Sequence, residues 1–182
     1  MALPLPHQDV HMNVAPGVAT RRVSYPGELG FPPTPVSFEI PVGWTTTPVR
    51  GALAVVRDDR PGPDGFHANL VVSVDRIGSG VTLSAAARGV HNDAIGVAHR
   101  FELIAERVLA IDETPAILRE QVVEVTGGVT PLAQSVLLHV VDVGDGVARD
   151  CIQLTMTAEV AMADEARARM ADLISTLVVG ER

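Results

Sequence analysis

Between residues 101 and 160 the sequence is made of four runs rich in aliphatic and β-branched residues: FELIAERVLAID, AILREQVVEVT, QSVLLHVVDV and VARDCIQLTMTAEV. The segments between them are short, whereas a parallel crossover needs a dozen residues or more, so these runs pair as an antiparallel meander. Three earlier runs, VSFEIPV, GALAVVRD and ANLVVSVDRI, read as three further strands. The first two are joined through Gly43-Trp44 and a threonine-rich link. Asp59-Arg60-Pro61-Gly62-Pro63-Asp64-Gly65 separates the second from the third and is expected to form a long hairpin loop.

Two segments carry a helical period instead. After Ser84, the expected N-cap, Leu83, Ala87, Val90, Ala94, Val97, Ala98 and Phe101 recur at spacings of three, four and seven. From Asp164 to Val179, Ala166, Met170, Leu173, Ile174 and Leu177 form one stripe, with Glu165, Arg167, Arg169 and Asp172 off it. Burying four large aliphatic side chains from this closing helix contributes roughly 6 to 12 kcal/mol before the ordering entropy is subtracted.

The first 35 residues differ from everything after them. They hold seven of the thirteen prolines and end in Phe31-Pro32-Pro33-Thr34-Pro35, which favours extended backbone. The expected organisation is an arm over residues 1–35 and one domain over 36–182. The arm contributes an edge strand around Arg22 to Tyr25, and Tyr25 to Phe31 are ordered by docking of Val23, Tyr25, Leu29 and Phe31 on a sheet edge or a second subunit. A homodimer is the preferred assembly.

Charge and composition exclude several functions. The chain of 182 residues is 47% hydrophobic and carries a net charge of −8, so nucleic acid and anionic membranes are repelled on average. All 14 basic residues are arginine, which rules out a Walker A loop, a Schiff-base lysine and a Ser-Lys dyad. Cys151 is the single cysteine and forms no internal disulfide. The opening MALPLPHQDVHMNVAPG lacks a charged n-region and a continuous apolar stretch, and no apolar run reaches the roughly 20 residues that span a bilayer. A soluble cytoplasmic protein without membrane insertion is expected.

Candidate chemistry is sparse. A three-residue loop Gly144-Asp145-Gly146 with Gly146 left-handed pairs Val143 with Val147, Val140 with Asp150, Leu138 with Ile152 and Val136 with Leu154. In that register His139 and Cys151 are cross-strand neighbours, and a Cys-His pair could supply a thiolate nucleophile; the alternative is a mixed strand face holding the cysteine as a small hydrophobe. His7 and His11 flank Asp9 at a spacing that chelates only on a helix, which the prolines oppose. His91 and His99, about 12 Å apart along a helix, cannot share a metal. Asp58, Asp59 and Asp64 lack the ligand pattern of a calcium loop and read as a solvated turn. Gly78-Ser79-Gly80, Gly127-Gly128 and Gly144-Asp145-Gly146 match neither a dinucleotide fingerprint nor a nucleophile elbow. No metal and no cofactor is expected. Arg57, Arg60, Phe66 and His67 flank the long hairpin loop, and their mix of cation and aromatic suits a recognition loop or an ordinary variable loop. Trp44, after a tight Pro-Val-Gly turn, reads as a plug over one end of the sheet or the wall of a pocket.

The stretch SFEIPVGWTTTP at 37–48, the strand ANLVVSVDRI at 68–77, the helix after Ser84 and the ending QLTMTAEVAMADEARARMADLISTLVV resemble the Mog/PsbP-like fold, and within it the actinobacterial LpqN-like branch. The resemblance covers about residues 36 to 179. It implies an α+β fold with an antiparallel sheet of about six to seven strands sandwiched by helices, in the order strands, helix, strands, helix. It also implies a binding scaffold: relatives include lipoproteins, a photosystem assembly and stabilising subunit, a nuclear-import factor that binds a small GTPase, and secretion chaperones. No catalytic residue carries over. The all-arginine composition fits a high-GC actinobacterial source, while the lipobox cysteine of the lipoprotein members is absent. The expected function is a non-enzymatic protein-binding or adaptor module whose binding residues are Trp44, Arg57, Arg60, Phe66 and His67. The alternatives are a carrier of a small apolar ligand in a cleft near Trp44, and a cysteine-dependent enzyme using Cys151 and His139.

Overall fold

The four runs of the second half become four long strands in the computed structural model, which describes residues 32 to 180 apart from 126, 128, 129 and 145. The edge strand and docking expected within residues 1–31 lie outside the described residues. In chain order the elements are β1 (Val36–Ser37), β2 (Trp44–Thr47), β3 (Ala54–Pro61), β4 (His67–Gly78), α1 (Leu83–Val97), β5 (Ala98–Ile111), β6 (Thr114–Val125), β7 (Leu132–Val143), β8 (Ala148–Glu159), α2 (Ala163–Thr176) and β9 (Val178–Val179). The main sheet has seven antiparallel strands in the order β2-β3-β4-β8-β7-β6-β5, and β1 pairs with β9 in a separate two-stranded ribbon. β5 to β8 form the meander. β8 then closes the sheet by pairing with β4 along its length, from Asn69 opposite Thr157 to Gly78 opposite Ala148.

Each helix covers one face. Leu70, Val72, Leu137, Ile152, Leu154 and Met156 are buried with Ala166, Met170 and Leu173 of α2. Ile117, Val136, Leu138, Val140 and Cys151 are buried on the opposite face with Ala87 of α1. Strands β7 and β8 are therefore enclosed on both sides, and period-two alternation sends Leu137 and Val136 to different cores.

Several local expectations shift. The VSFEIPV run divides: Val36 and Ser37 leave the main sheet to meet Val179 and Val178, and the threonine-rich link is itself strand β2. β3 continues to Pro61, so Asp58, Asp59 and Arg60 are strand residues rather than loop residues, with a register irregularity between Arg57 and Pro61 that admits the proline. The cap of α1 is Thr82, whose hydroxyl accepts from the Ala85 N–H at 3.2 Å, not Ser84. Ala98 and Phe101 belong to β5, where the Phe101 ring meets the edge of His91. α2 stops at Thr176 because Leu177 turns extended and Val178 and Val179 are taken into the ribbon with β1.

The β7–β8 hairpin lies one residue away from the expected register. Gly144 and Gly146 both take left-handed backbone, with φ of 55° and 73°, and the turn closes from Gly146 N–H to the Val143 carbonyl. Two left-handed glycines accommodate a fourth loop residue, so Val143 pairs with Ala148 and Val147 stays in the loop, exposed. Val140 then faces Cys151, Leu138 faces Gln153 and Val136 faces Thr155. His139 pairs with Ile152 on the α2 side, while Cys151 lies on the α1 side. The two side chains point to opposite faces, which removes the Cys-His nucleophile.

Burial pushes the Cys151 thiol pKa up, and the nearby Asp75 charge adds to this. Cys151 is 6% exposed, so in the folded protein it should react with a disulfide reagent only at the rate of global or local opening; reaction at the rate of a free thiol at pH 8 would contradict the packing. Met170, buried against β7 and β8, supplies a second check. Met170→Ala should cost about 2 to 5 kcal/mol in urea unfolding.

Candidate functional site

The end of the sheet formed by β2, β3 and the β3–β4 loop holds two buried carboxylates, Asp58 and Glu159. Trp44 heads β2 because Gly43, at φ of 86°, completes the tight turn in which Trp44 N–H donates to the Pro41 carbonyl. It pairs with Asp58, so both side chains face α2. There Arg169 of α2 donates from Nη1 to Asp58 Oδ2 at 2.7 Å, and its guanidinium lies 5.2 Å from the Trp44 ring centroid. Glu165 accepts from the same guanidinium one turn earlier. Asp58 also accepts from the Arg60 backbone N–H at 2.9 Å and from the Arg60 guanidinium at 3.4 Å. His67 Nδ1 stands 2.8 Å from the Asp58 carbonyl oxygen, which only accepts, so the proton of a neutral His67 resides on Nδ1.

A second carboxylate holds the loop. Glu159, at the end of β8 and 1% exposed, accepts from Asp64 N–H at 3.0 Å and Phe66 N–H at 2.8 Å. The loop closes on itself through Gly62 N–H to the Phe66 carbonyl and Gly65 N–H to the Gly62 carbonyl. Gly62 is required for close approach: a Cβ there would lie 2.8 Å from the Glu159 carboxyl carbon. By alternation Glu159 shares the α1-side face with Thr157, whereas Asp58 faces α2. The loop and its flanking residues are thus anchored from both faces of the sheet.

Of the expected binding residues, Trp44, Arg60 and His67 converge on Asp58, and Phe66 is tied to Glu159 through its backbone. Arg57 is not part of the cluster; it sits opposite Thr45 and Asn69 on the other face of β3. The Arg60 side chain is 74% exposed. Trp44 is buried, and the space bounded by Ala68, Met156 and Arg169 is about 10 Å³, too small for a ligand. A separate cleft, with a volume of about 370 Å³, lies under the C-terminal half of α1 and does not include Trp44.

Three residues that hold this structure are absent from the sequence-derived set. Glu159 was signalled only as a lone acid ending an apolar strand, and Arg169 falls among the residues off the α2 stripe. Asp150, buried beneath the entering chain, accepts from Arg76 Nε at 2.6 Å and from both the backbone N–H and hydroxyl of Thr34 at 2.8 Å. Burial raises its pKa, but Arg76 and then Thr34 outweigh this and hold it below the usual carboxylate range. The His139 pKa is also lowered, chiefly by burial, and its Nδ1 is 3.3 Å from the Pro115 carbonyl.

These carboxylates are committed acceptors. Asp58 is pushed up by burial, yet hydrogen bonds from Arg169, then from the Arg60 backbone and side chain, bring it from 3.8 to about 2. An acid so low is a poor proton acceptor near neutral pH. The arrangement holds a surface rather than moving protons. Among the described residues no group of three His, Cys, Asp or Glu side chains could hold a metal ion.

The sequence matches no protein-family model and no curated protein. Solved structures supply the likeness. LpqN from Mycobacterium tuberculosis, involved in cell envelope biogenesis, is similar at a TM-score of 0.68 and 10% identity, over 84% of this chain and 88% of that one. Cyanobacterial PsbP from Synechocystis sp. PCC 6803 is similar at 0.56 and 20% identity, over 86% of this chain and 98% of its own. The Ran-binding protein Mog1p from Saccharomyces cerevisiae is similar at 0.53 and 12%, over 79% and 89%. The chain therefore has the Mog/PsbP-like fold, an antiparallel sheet between two helices.

The Asp58 pKa sets a pH dependence. Its folded value lies below the unfolded one, so its contribution is complete above about pH 4 and is lost as pH falls through about 2. Asp58→Asn should cost about 2 to 4 kcal/mol at pH 7, by leaving Arg169 underpaired, and should flatten the stability profile between pH 4 and 2. Urea titrations at a series of pH values measure both; an unchanged profile would show that Asp58 does not titrate in this way.

Proposed function

We propose that this chain is a non-enzymatic protein-binding or adaptor module of the LpqN-like kind, working in the cytoplasm and engaging its partner with Arg60, Phe66 and His67 at the β3–β4 end. The observation that carries this reading is the double anchoring of that end. Glu159 fixes the backbone of Asp64 and Phe66, while Asp58 and Arg169 fix Arg60 and Trp44 from the other face. A loop already ordered loses little conformational freedom on docking, and an exposed arginine beside an aromatic is the composition that anchors protein interfaces. Arg57, on the opposite face, belongs to the rim of the proposed surface and Trp44 supports it from within.

The fold likeness is in accord: the Saccharomyces relative is a Ran-binding protein. The cytoplasmic compartment is part of the proposal: a single cysteine forms no internal disulfide that would call for an oxidising environment, and no described helix is long and apolar enough to cross a membrane. Self-association through residues 1–35 belongs to the same reading, and light scattering after their deletion tests it: a fall to monomer mass is expected.

Affinity purification from the source organism, using the full chain, tests the main proposal. Arg60→Ala combined with Phe66→Ala should reduce capture of a specific partner at least about tenfold without lowering the melting temperature by more than a few degrees. Undiminished capture by the double variant would place the interface elsewhere, and turnover of a substrate class by the purified chain would overturn the non-enzymatic reading.

A further inference from the structure

The cleft beneath α1 is a second feature, sharing no residue with the proposed protein-docking end. Its roof is the apolar side of α1 at Val90, Ala94 and Val97; its floor is β6, β7 and β8, where Gln121, Gln134 and Gln153 project from adjacent strands. The row of amides contrasts with Ile117, Leu138 and Val140 farther along the same face, beyond the buried Arg119 that reaches the Ala87 carbonyl. The amides are ordered. Gln121 Nε2 donates to Gln134 Oε1 at 2.9 Å, Gln134 Nε2 donates to Thr157 at 3.3 Å, and Gln153 Nε2 donates to Thr155 at 3.0 Å.

This chain of donations has a direction, and it leaves acceptors over. Gln121 is only 5% exposed, and its Oε1 accepts no hydrogen bond from a described residue; neither does Gln153 Oε1. Neither oxygen is sealed from solvent, since Val97 and Val125 of the same cleft are exposed, and an amide oxygen that opens to a cleft without a protein donor is satisfied by water or by a ligand that donates. The single charged side chain among the lining residues is Asp93. No arginine lines the cleft, on a chain whose net charge is −8.

From these features we infer that the cleft binds a small amphiphile with an aliphatic chain and a hydrogen-bond-donating, non-anionic nitrogen head, an alkyl primary amide or alkylammonium. The head donates to Gln121 Oε1 and Gln153 Oε1, and the chain packs against Val90, Val97 and Val136. An anionic head meets Asp93 in the lining, leaves the same acceptors unpaired and finds no free cation, because Arg119 beside the cleft is held by Glu106 and the Ala87 carbonyl. At about 30 Å³ per water-sized group, 370 Å³ holds about a dozen non-hydrogen atoms, the size of an eight-carbon chain with its head. The cleft also falls within the usual range of small-molecule sites.

The test uses the full chain, labelled with nitrogen-15, titrated at pH 8 with octanamide, octylammonium and octanoate below their aggregation concentrations. Octanamide and octylammonium should shift the side-chain amide signals of Gln121, Gln134 and Gln153 with saturable curves, and octanoate should bind at least about tenfold more weakly. Ala94→Phe should fill the cleft and weaken both donors at least about tenfold. Gln121→Leu keeps the volume and should weaken them while sparing the melting temperature. Octanoate binding as tightly as the other two, shifts that map outside the cleft, or no saturable shift from octanamide or octylammonium would each overturn the proposal. Partner capture through Arg60 and Phe66 is read separately, so either reading can fail alone.

Discussion

The position of β8 governs the rest of the molecule. It is the last long strand in sequence but lies between β4 and β7, so all of its length is flanked by other strands and both of its faces are covered. Polar side chains on such a strand must find partners or lie against a wet space. β8 carries them at both ends and in its middle, and each leads to a distinct feature. Asp150 is matched by Arg76 and Thr34, which ties the segment entering the domain to the sheet. Glu159 is matched by backbone N–H groups of the β3–β4 loop, which fixes the loop. Gln153, Thr155 and Thr157, on the α1 side, line or border the cleft floor.

A similar device locks the helices. Arg119 on β6 reaches the Ala87 carbonyl of α1 while pairing with Glu106 at 2.6 Å, so the buried guanidinium joins α1 to the sheet. Arg169 does the same for α2 through Asp58. A planar guanidinium serves two acceptors at once where an ammonium would act as a point charge, and the complete absence of lysine leaves arginine as the chain's sole cation for these sites. Exposed pairs such as Arg167 with Asp164 contribute little by comparison.

The element order, the meander, both helices and the α2 stripe were legible in the sequence because each depends on a local period. What failed depended on burial from both sides. Val136 through Val140 are all buried, so shifting the hairpin by one residue exchanges one apolar face for another, and apolar patterning alone could not locate the register. Turn chemistry decided it instead, through a second left-handed glycine at 144. The same ambiguity brought Cys151 beside His139 on paper. Arg60 and His67 were legible as loop-flanking cations and aromatics, but Asp58, Glu159 and Arg169 were not, because their roles arise between segments more than ninety residues apart.

The anchoring of the β3–β4 end also explains why acidic residues there do not signal chemistry. A carboxylate that is to accept a proton from a substrate needs a free lone pair and a pKa near the working pH. Asp58 uses its oxygens on two arginines and a backbone donor, and Glu159 uses both of its oxygens on loop backbone. Releasing either for catalysis would leave the half-buried Arg169 guanidinium underpaired or backbone N–H groups without partners. The interactions that order the loop are therefore the ones that occupy the lone pairs of Asp58 and Glu159.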